Sequence, residues 1–285
     1  MDKAEEFAEN HEIKLSYGSY LELVEDKNID VIYVATPHTF HFEHSILCLE
    51  HKKAVLCEKP LGINLGQVEI MISLAKEKNV FLMEALWTQF LPHFNYVKNL
   101  VDSKEYGRLL GLEADFGFNA PFEPKKRIYN KELGGGSLMD VGIYPIFLSL
   151  ALLGIPEDIF AEATIGSTGV DENCTIQLSY SNAVKANLYS AINETTPTTA
   201  TLRFETAKVI INSRFHEPSS VSIQKNGKME TKEFPVTTHG YNFEAVHVQN
   251  MLKEKRTEST LMSFEKSKEL ISILDSIRKE INLEY

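Results

Sequence analysis

Three short apolar runs with helix-patterned segments between them most constrain what this chain can fold into. The first, Asp30-Val31-Ile32-Tyr33-Val34-Ala35, stops at Thr36-Pro37. The second, Ala54-Val55-Leu56-Cys57, stops at Glu58-Lys59-Pro60, and the third is Val80-Phe81-Leu82-Met83. Continuous apolar runs ended by a breaker suit strands covered on both faces of a parallel sheet. Between the first two, residues 41–51 place Phe42, Ile46, Leu47 and Leu49 at helical spacing. Between the second and third, Asn64 can cap a helix running to about Lys78, with Val68, Met71, Ile72 and Ala75 on one face. Two short helices, 2–10 and 19–25, precede them. Strand, helix, strand, helix, strand implies βαβ units with right-handed crossovers.

After Trp87 the rhythm changes. A helix over 92–101 and a strand-like run over 109–118 lead to Gly134-Gly135-Gly136, which opens a helix over 137–153. Strand candidates then follow without helices between them: 159–167, 174–180, 184–192, 200–204, 208–211, 221–224 and 231–234. Turn signals separate them, and Asn226-Gly227 is a strong hairpin signal. Helices over 241–253 and 264–281 follow. The expected architecture is a parallel α/β part followed by an α+β part with a large open, mostly antiparallel sheet.

Composition narrows the function. The chain has 285 residues, 43% of them hydrophobic, enough for two domains with real cores. A formal net charge of -11 repels phosphate backbones and argues against nucleic acid as a partner. Cys48, Cys57 and Cys174 are odd in number and widely spaced, so neither a disulfide framework nor a metal site is expected. No run approaches the ~20 consecutive apolar residues of a membrane helix. The start, Met1-Asp2-Lys3-Ala4-Glu5-Glu6, is too charged for a signal peptide. A soluble, cytoplasmic protein without membrane contact is expected.

Three motifs carry chemistry. Thr36-Pro37-His38-Thr39-Phe40-His41 lies just past the carboxyl end of a parallel strand, the edge where open α/β sheets bind ligands. His38 and His41 can face a cofactor there, or can be surface histidines of a capping loop. Glu58-Lys59-Pro60 ends the next strand on the same edge. Its lysine can hydrogen-bond a hydroxyl or carbonyl and help a proton move, or can form a surface salt bridge. In Gly134-Gly135-Gly136-Ser137-Leu138-Met139-Asp140-Val141-Gly142-Ile143-Tyr144, the glycines let backbone pass close to a ligand or another strand. Asp140 and Tyr144, four apart, project from one helix face, where a carboxylate and a phenol can grip a polyol. A tyrosine is a useful acid or base if a nearby ammonium brings its pKa toward neutrality. Lys59 is the candidate. The plainer reading of this segment is a helix start with Tyr144 in the core.

The order Thr-Pro-x-x-x-His, Glu-Lys-Pro, Met83-Glu84-Ala85 and Gly-Gly-Gly-Ser-Leu-x-Asp-x-Gly-x-Tyr resembles the glucose–fructose oxidoreductase / inositol dehydrogenase (Gfo/Idh/MocA) family. Met83-Glu84-Ala85-Leu86-Trp87-Thr88 and Tyr241-Asn242-Phe243-Glu244-Ala245-x-His247-Val248 are similar to its dihydrodiol dehydrogenase and NADP-linked xylose dehydrogenase branch. The resemblance implies a dinucleotide-binding (Rossmann) domain over 1–88 and a substrate-binding and oligomerisation α+β domain over 89–285. It implies an oxidoreductase using NAD or NADP and moving a hydride at a hydroxyl or carbonyl carbon of a sugar, polyol or trans-diol. Tyr144 is then the acid/base, Lys59 sits beside the nicotinamide and the reacting hydroxyl, and Asp140 orients the substrate. Thr36, Pro37, His38, His41, Glu58 and Lys59 line the cofactor, no metal takes part, and a homodimer or larger assembly forms through the C-terminal sheet.

Two departures stand out. Gln89 occupies a position where this branch tends to carry Arg. No Gly-x-Gly-x-x-Gly turn, the usual pyrophosphate cradle, is present. The expectation is an incomplete Rossmann-type sheet that lacks its first strand–helix–strand unit, in an N-terminally truncated chain. The alternatives are a non-catalytic sugar-sensing relative and an inactive truncated fragment.

Overall fold

The computed structural model describes residues 2–285. Helices α1 (Asp2–Asn10) and α2 (Tyr20–Glu25) lead into a three-stranded parallel sheet in the order β1 (Val31–Val34), β2 (Ala54–Glu58), β3 (Leu82–Ala85). Helices α3 (His41–Glu50) and α4 (Leu65–Lys78) make the crossovers. The Asn64 side chain caps α4 by accepting from the Gln67 amide at 2.9 Å, and Asn79 ends it in the left-handed conformation at φ 54°. β2 and β3 are covered on both faces, as their apolar runs require. β1 departs from that expectation: Ile32 and Val34 are buried, whereas Val31 and Tyr33 are 37% and 47% exposed. Among the described residues only β2 pairs with β1, and Val31 and Tyr33 line a slot opposite Tyr241 and Val248.

Helix α5 (Pro92–Ser103) begins on a proline whose missing N–H costs nothing in the first turn. An eight-stranded sheet then runs in the order β11-β10-β9-β8-β4-β7-β6-β5. Its strands are β4 (Leu109–Gly117), β5 (Asp158–Ile165), β6 (Asp171–Ser179), β7 (Lys185–Ala191), β8 (Ala200–Phe204), β9 (Lys208–Ile211), β10 (Val221–Lys225) and β11 (Lys228–Lys232). All neighbours are antiparallel except β4 and β7. β11 lies earlier than the expected 231–234, because the two-residue Asn226-Gly227 turn pairs Lys225 directly with Lys228.

Helix α6 (Ile143–Leu153) is buried almost throughout, between this sheet and helix α8 (Phe264–Glu280), while α7 (Asn242–Lys253) packs beside Trp87–Phe90. The helical stretch Lys131–Leu153 reaches a mean hydropathy of 1.7 in its most apolar window, and 89% of that window is buried inside the fold. Its apolar surface is core. One hydrophobic cluster joins both sheets, with Phe94 stacked on Phe147 at 5.6 Å. Cys48, Cys57 and Cys174 are buried free thiols within it.

Candidate active site

The carboxyl ends of β1 and β2 deliver Thr36–His38 and Glu58–Lys59 to one edge, and the glycine run delivers Asp140 and Tyr144 from the other part of the chain. The helix there does not begin as a regular α-helix. Leu138–Gly142 form a π-helical turn, a widened turn that recurs at functional sites. It presents the Asp140 carbonyl and carboxylate together. The Lys59 ammonium donates to the Asp140 carbonyl at 2.6 Å and lies 3.5 Å from its Oδ1. The same ammonium sits 5.0 Å from the centre of the Tyr144 ring. Lys59, Asp140 and Tyr144 share one cleft of about 380 Å³, walled by Trp87, Phe116 and His216.

Asp140 is only 7% exposed, and its charge is held by cations on several sides. Arg127 grips it with both terminal nitrogens, at 2.7 and 3.3 Å, and His38 Nε2 lies 3.9 Å away. Burial opposes the charge, but Lys59 and Arg127 outweigh it and hold the carboxyl at about 2. Asp140 is therefore a buried counter-ion that fixes Lys59, as well as a wall of the cleft. Burial, helped by Lys59, lowers the His38 imidazole to about 3, so it is neutral. Its Nδ1 lies 3.0 Å from the Gly134 carbonyl, which makes Nδ1 the protonated nitrogen.

Tyr144 departs from the expectation of a phenol pulled toward neutrality. Burial first, then the carboxylates of Glu58, Asp140 and Glu244, push it well above its ordinary value. The Lys59 ammonium, 5.0 Å from the ring centre, does not overturn this. One group works the other way: the Trp87 indole N–H donates to the Tyr144 oxygen at 3.1 Å. That bond occupies a lone pair and leaves the phenolic proton free for a substrate oxygen. Trp87 is itself fixed by a parallel stack on Tyr241, with ring centres 4.2 Å apart. Replacing Trp87 with Phe keeps the stack and removes the donor. Loss of one hydrogen bond to a phenolate is worth about 1.5 kcal/mol, so kcat/KM should fall about tenfold in both directions. Unchanged initial rates contradict this role.

The sequence-expected cofactor residues separate into two groups. Thr36, Pro37, His38, Glu58 and Lys59 lie at the strand ends. His41 lies beneath them, fully buried, with Nδ1 2.7 Å from the Pro60 carbonyl and Nε2 2.8 Å from the Thr36 carbonyl. It staples the two loops from behind and does not reach the cleft surface. Glu84 does similar work: its Oε1 accepts from the Leu61 amide at 2.9 Å, just past the Lys59–Pro60 bond, which is cis. Beside the cleft, a slot of about 540 Å³ is walled by Val31, Leu56, Tyr241 and Val248, with Glu58 and Glu244 on its polar side. Glu244 Oε2 is buried with no partner. A flat, partly apolar ring bearing an amide donor, such as a nicotinamide, suits those carboxylate acceptors.

Arg127, the Trp87 donor, Phe116 and His216 were not legible as site residues. Arg127 has one faint signal, the Lys125-Lys126-Arg127 triplet before the glycine run. Phe116 and His216 stack at 4.1 Å although they come from distant segments.

The buried charges predict how stability follows pH. Burial raises Glu84 to about 7, and burial with Glu58 raises Glu244 to about 8. Both folded values lie above the unfolded value of roughly 4.3. The folded state therefore binds protons more tightly, and this stability is lost as pH rises through 7 to 8. Burial lowers His38, His41, His93 and His216, so their contribution is lost as pH falls below the unfolded value of roughly 6.5. Thermal melts should show maximal stability near neutrality and a falling midpoint from about pH 7 to 9. Glu244→Gln should flatten the alkaline limb, and a midpoint that rises over that interval contradicts the assignment.

Residues 1–86 match the NAD-binding Rossmann fold of the Gfo/Idh/MocA oxidoreductase family, and residues 94–216 match the C-terminal domain of the same family. Trans-1,2-dihydrobenzene-1,2-diol dehydrogenase of Xenopus tropicalis is 37% identical over 100% of this chain and 88% of its own length. The Homo sapiens enzyme of that name is 33% identical over 100% and 87%. Among solved structures, a 3-ketoreductase from Actinomadura kijaniata in complex with NADP and TDP-benzene superposes with a TM-score of 0.89 at 24% identity, over 98% of this chain and 86% of that one. An aldose-aldose oxidoreductase from Caulobacter crescentus superposes with a TM-score of 0.88 at 22% identity, over 99% and 87%.

Proposed function

This chain belongs to the Gfo/Idh/MocA oxidoreductase family, and from that premise we propose that it is an NAD(P)-dependent dehydrogenase acting on a trans-diol, sugar or polyol with Tyr144 as acid/base and Lys59 as its partner. One observation carries the reading: an ammonium from the strand edge and a phenol from the glycine-run helix open into one cleft. The diol dehydrogenase names of relatives that match the whole chain support the substrate class.

A bound nicotinamide supplies the hydride acceptor or donor; the protein supplies position and proton management. Thr36, Pro37, His38 and Glu58 hold the nicotinamide end, with His41 bracing their loops. Lys59, aimed by Asp140, donates to the reacting oxygen and stabilises its developing negative charge. Tyr144 gives its proton to that oxygen in reduction and takes it back in oxidation. Because the phenol is held protonated at neutral pH, reduction should be nearly independent of pH, whereas oxidation should accelerate with pH. Trp87, Phe116 and His216 exclude water and offer ring faces to a cyclic substrate. Exposed Leu110, Phe160 and Ile165 on β4 and β5 offer a face for a second copy.

The test is to follow nicotinamide absorbance with NAD and NADP against trans-dihydrodiols and aldoses. Substrate-dependent turnover with one of them is expected. Ligand binding without any nicotinamide turnover would favour a sensor and overturn the proposal.

A further inference from the structure

We propose that Asp171 is the positioning residue for the helix that carries Asp140 and Tyr144, acting with Ser137 and Tyr285. This rests on the dehydrogenase reading above for its catalytic consequence, but its structural basis is separate. Asp171 opens β6, is fully buried and has no cationic partner among the described residues. A carboxylate in such a place is costly unless hydrogen bonds satisfy it. Its Oδ2 accepts from the Ser137 hydroxyl at 2.7 Å and from the Leu138 amide at 2.7 Å. Both donors lie where the helical run begins, where backbone N–H groups lack intrahelical partners and negative charge is favoured.

The other oxygen, Oδ1, is buried without a partner and presses on Gly136. A Cβ at Gly136 would lie 2.2 Å from it, and the residue's φ of 116° suits glycine. On the far side, the Tyr285 hydroxyl donates to the Gly135 carbonyl at 2.6 Å. The Ser137 hydroxyl also meets that of Ser190 on β7 at 2.9 Å. Residues 135, 136 and 137 are thus gripped in succession, and the grip ends where the π-helical turn begins. Tyr144 follows Ser137 by about two helical turns, so the rigid helix carries any shift at its start to the phenol. Burial raises the Asp171 carboxyl to about 6 while these hydrogen bonds hold it down, so it is charged near neutrality, and Asp171→Asn removes that charge with little change of shape.

The experiment uses the full chain carrying Asp171→Asn, with Ser137→Ala beside it, and reads two quantities. Hydrogen exchange of amides 138–144 should quicken by about tenfold or more in Asp171→Asn, with other helices unchanged. With a carbon-deuterated substrate, kcat should fall about tenfold, KM should hold within about twofold, and the primary isotope effect should rise as the chemical step becomes limiting. Unchanged exchange over 138–144 overturns the proposal. So does a lower kcat with unchanged isotope effect and pH profile, since that reports only a smaller folded fraction. If Asp171→Asn does not melt cooperatively, Ser137→Ala decides by the same readouts with smaller changes of the same sign. A wild-type chain without hydride transfer removes the dehydrogenase reading, and the exchange measurement still decides the positioning claim.

Discussion

Tyr144→Phe should lower kcat by about two to four orders of magnitude, the range for losing a positioned general acid or base, while substrate and nicotinamide still bind. The ring is retained, with its 5.8 Å contact to Phe116 and 4.9 Å contact to His216, but the buried Trp87 N–H loses its acceptor, so the melting midpoint should fall modestly. Lys59→Ala should cost a similar factor, with a further consequence. It removes one of the cations around a nearly buried Asp140 and leaves Arg127 as the main counter-ion. Its stability cost should therefore exceed that of Tyr144→Phe. Steady-state rates and thermal melts separate the two effects. Full activity in either variant removes the assigned role.

Gly135→Ala should damage the fold and the site together. A Cβ there would lie 2.4 Å from the Arg127 carbonyl, 2.6 Å from that of Ile128 and 2.9 Å from that of Asn130. These are backbone atoms and cannot rotate away. The Gly135 and Gly136 amides also donate to the carbonyls of Asn130 and Ile128, at 3.0 and 2.9 Å. The segment that carries Arg127 must move, and the Arg127–Asp140 pair moves with it. The expected cost is about 3 kcal/mol, at the upper end for overpacking, with turnover reduced even in the folded fraction. A melt within experimental error of wild type contradicts this packing account.

The glycine run shows how far the sequence could be read. Its need for close backbone approach was legible, but what approaches was not. The neighbours are carbonyls of the Arg127 segment and the Asp171 carboxylate, both distant or unmarked in sequence. The parallel part was legible because three apolar runs, two of them ended at prolines, leave few alternatives, and the Asn226-Gly227 hairpin was legible because its turn chemistry is local. The parallel β4–β7 pairing inside an otherwise antiparallel sheet depends on long connections that no local pattern encodes. In the site, Lys59, Asp140 and Tyr144 were named from motif and spacing, and the structure brings them to one cleft. The direction of the Tyr144 shift was not legible. It depends on burial and on the carboxylates of Glu58, Asp140 and Glu244, which only the fold brings near the phenol. His41 illustrates the same limit: its position at a strand end is local, whereas its inward turn onto two carbonyls is tertiary.

The most direct test of the central claim, that Lys59 and Tyr144 act on one oxygen, is the turnover of the double variant Lys59→Ala/Tyr144→Phe against the two single variants under identical conditions. Groups that serve the same proton transfer are strongly non-additive, so the double variant should be about as slow as the slower single. Losses that multiply to the full product of the single effects would mean that the ammonium and the phenol work independently, and would contradict the account.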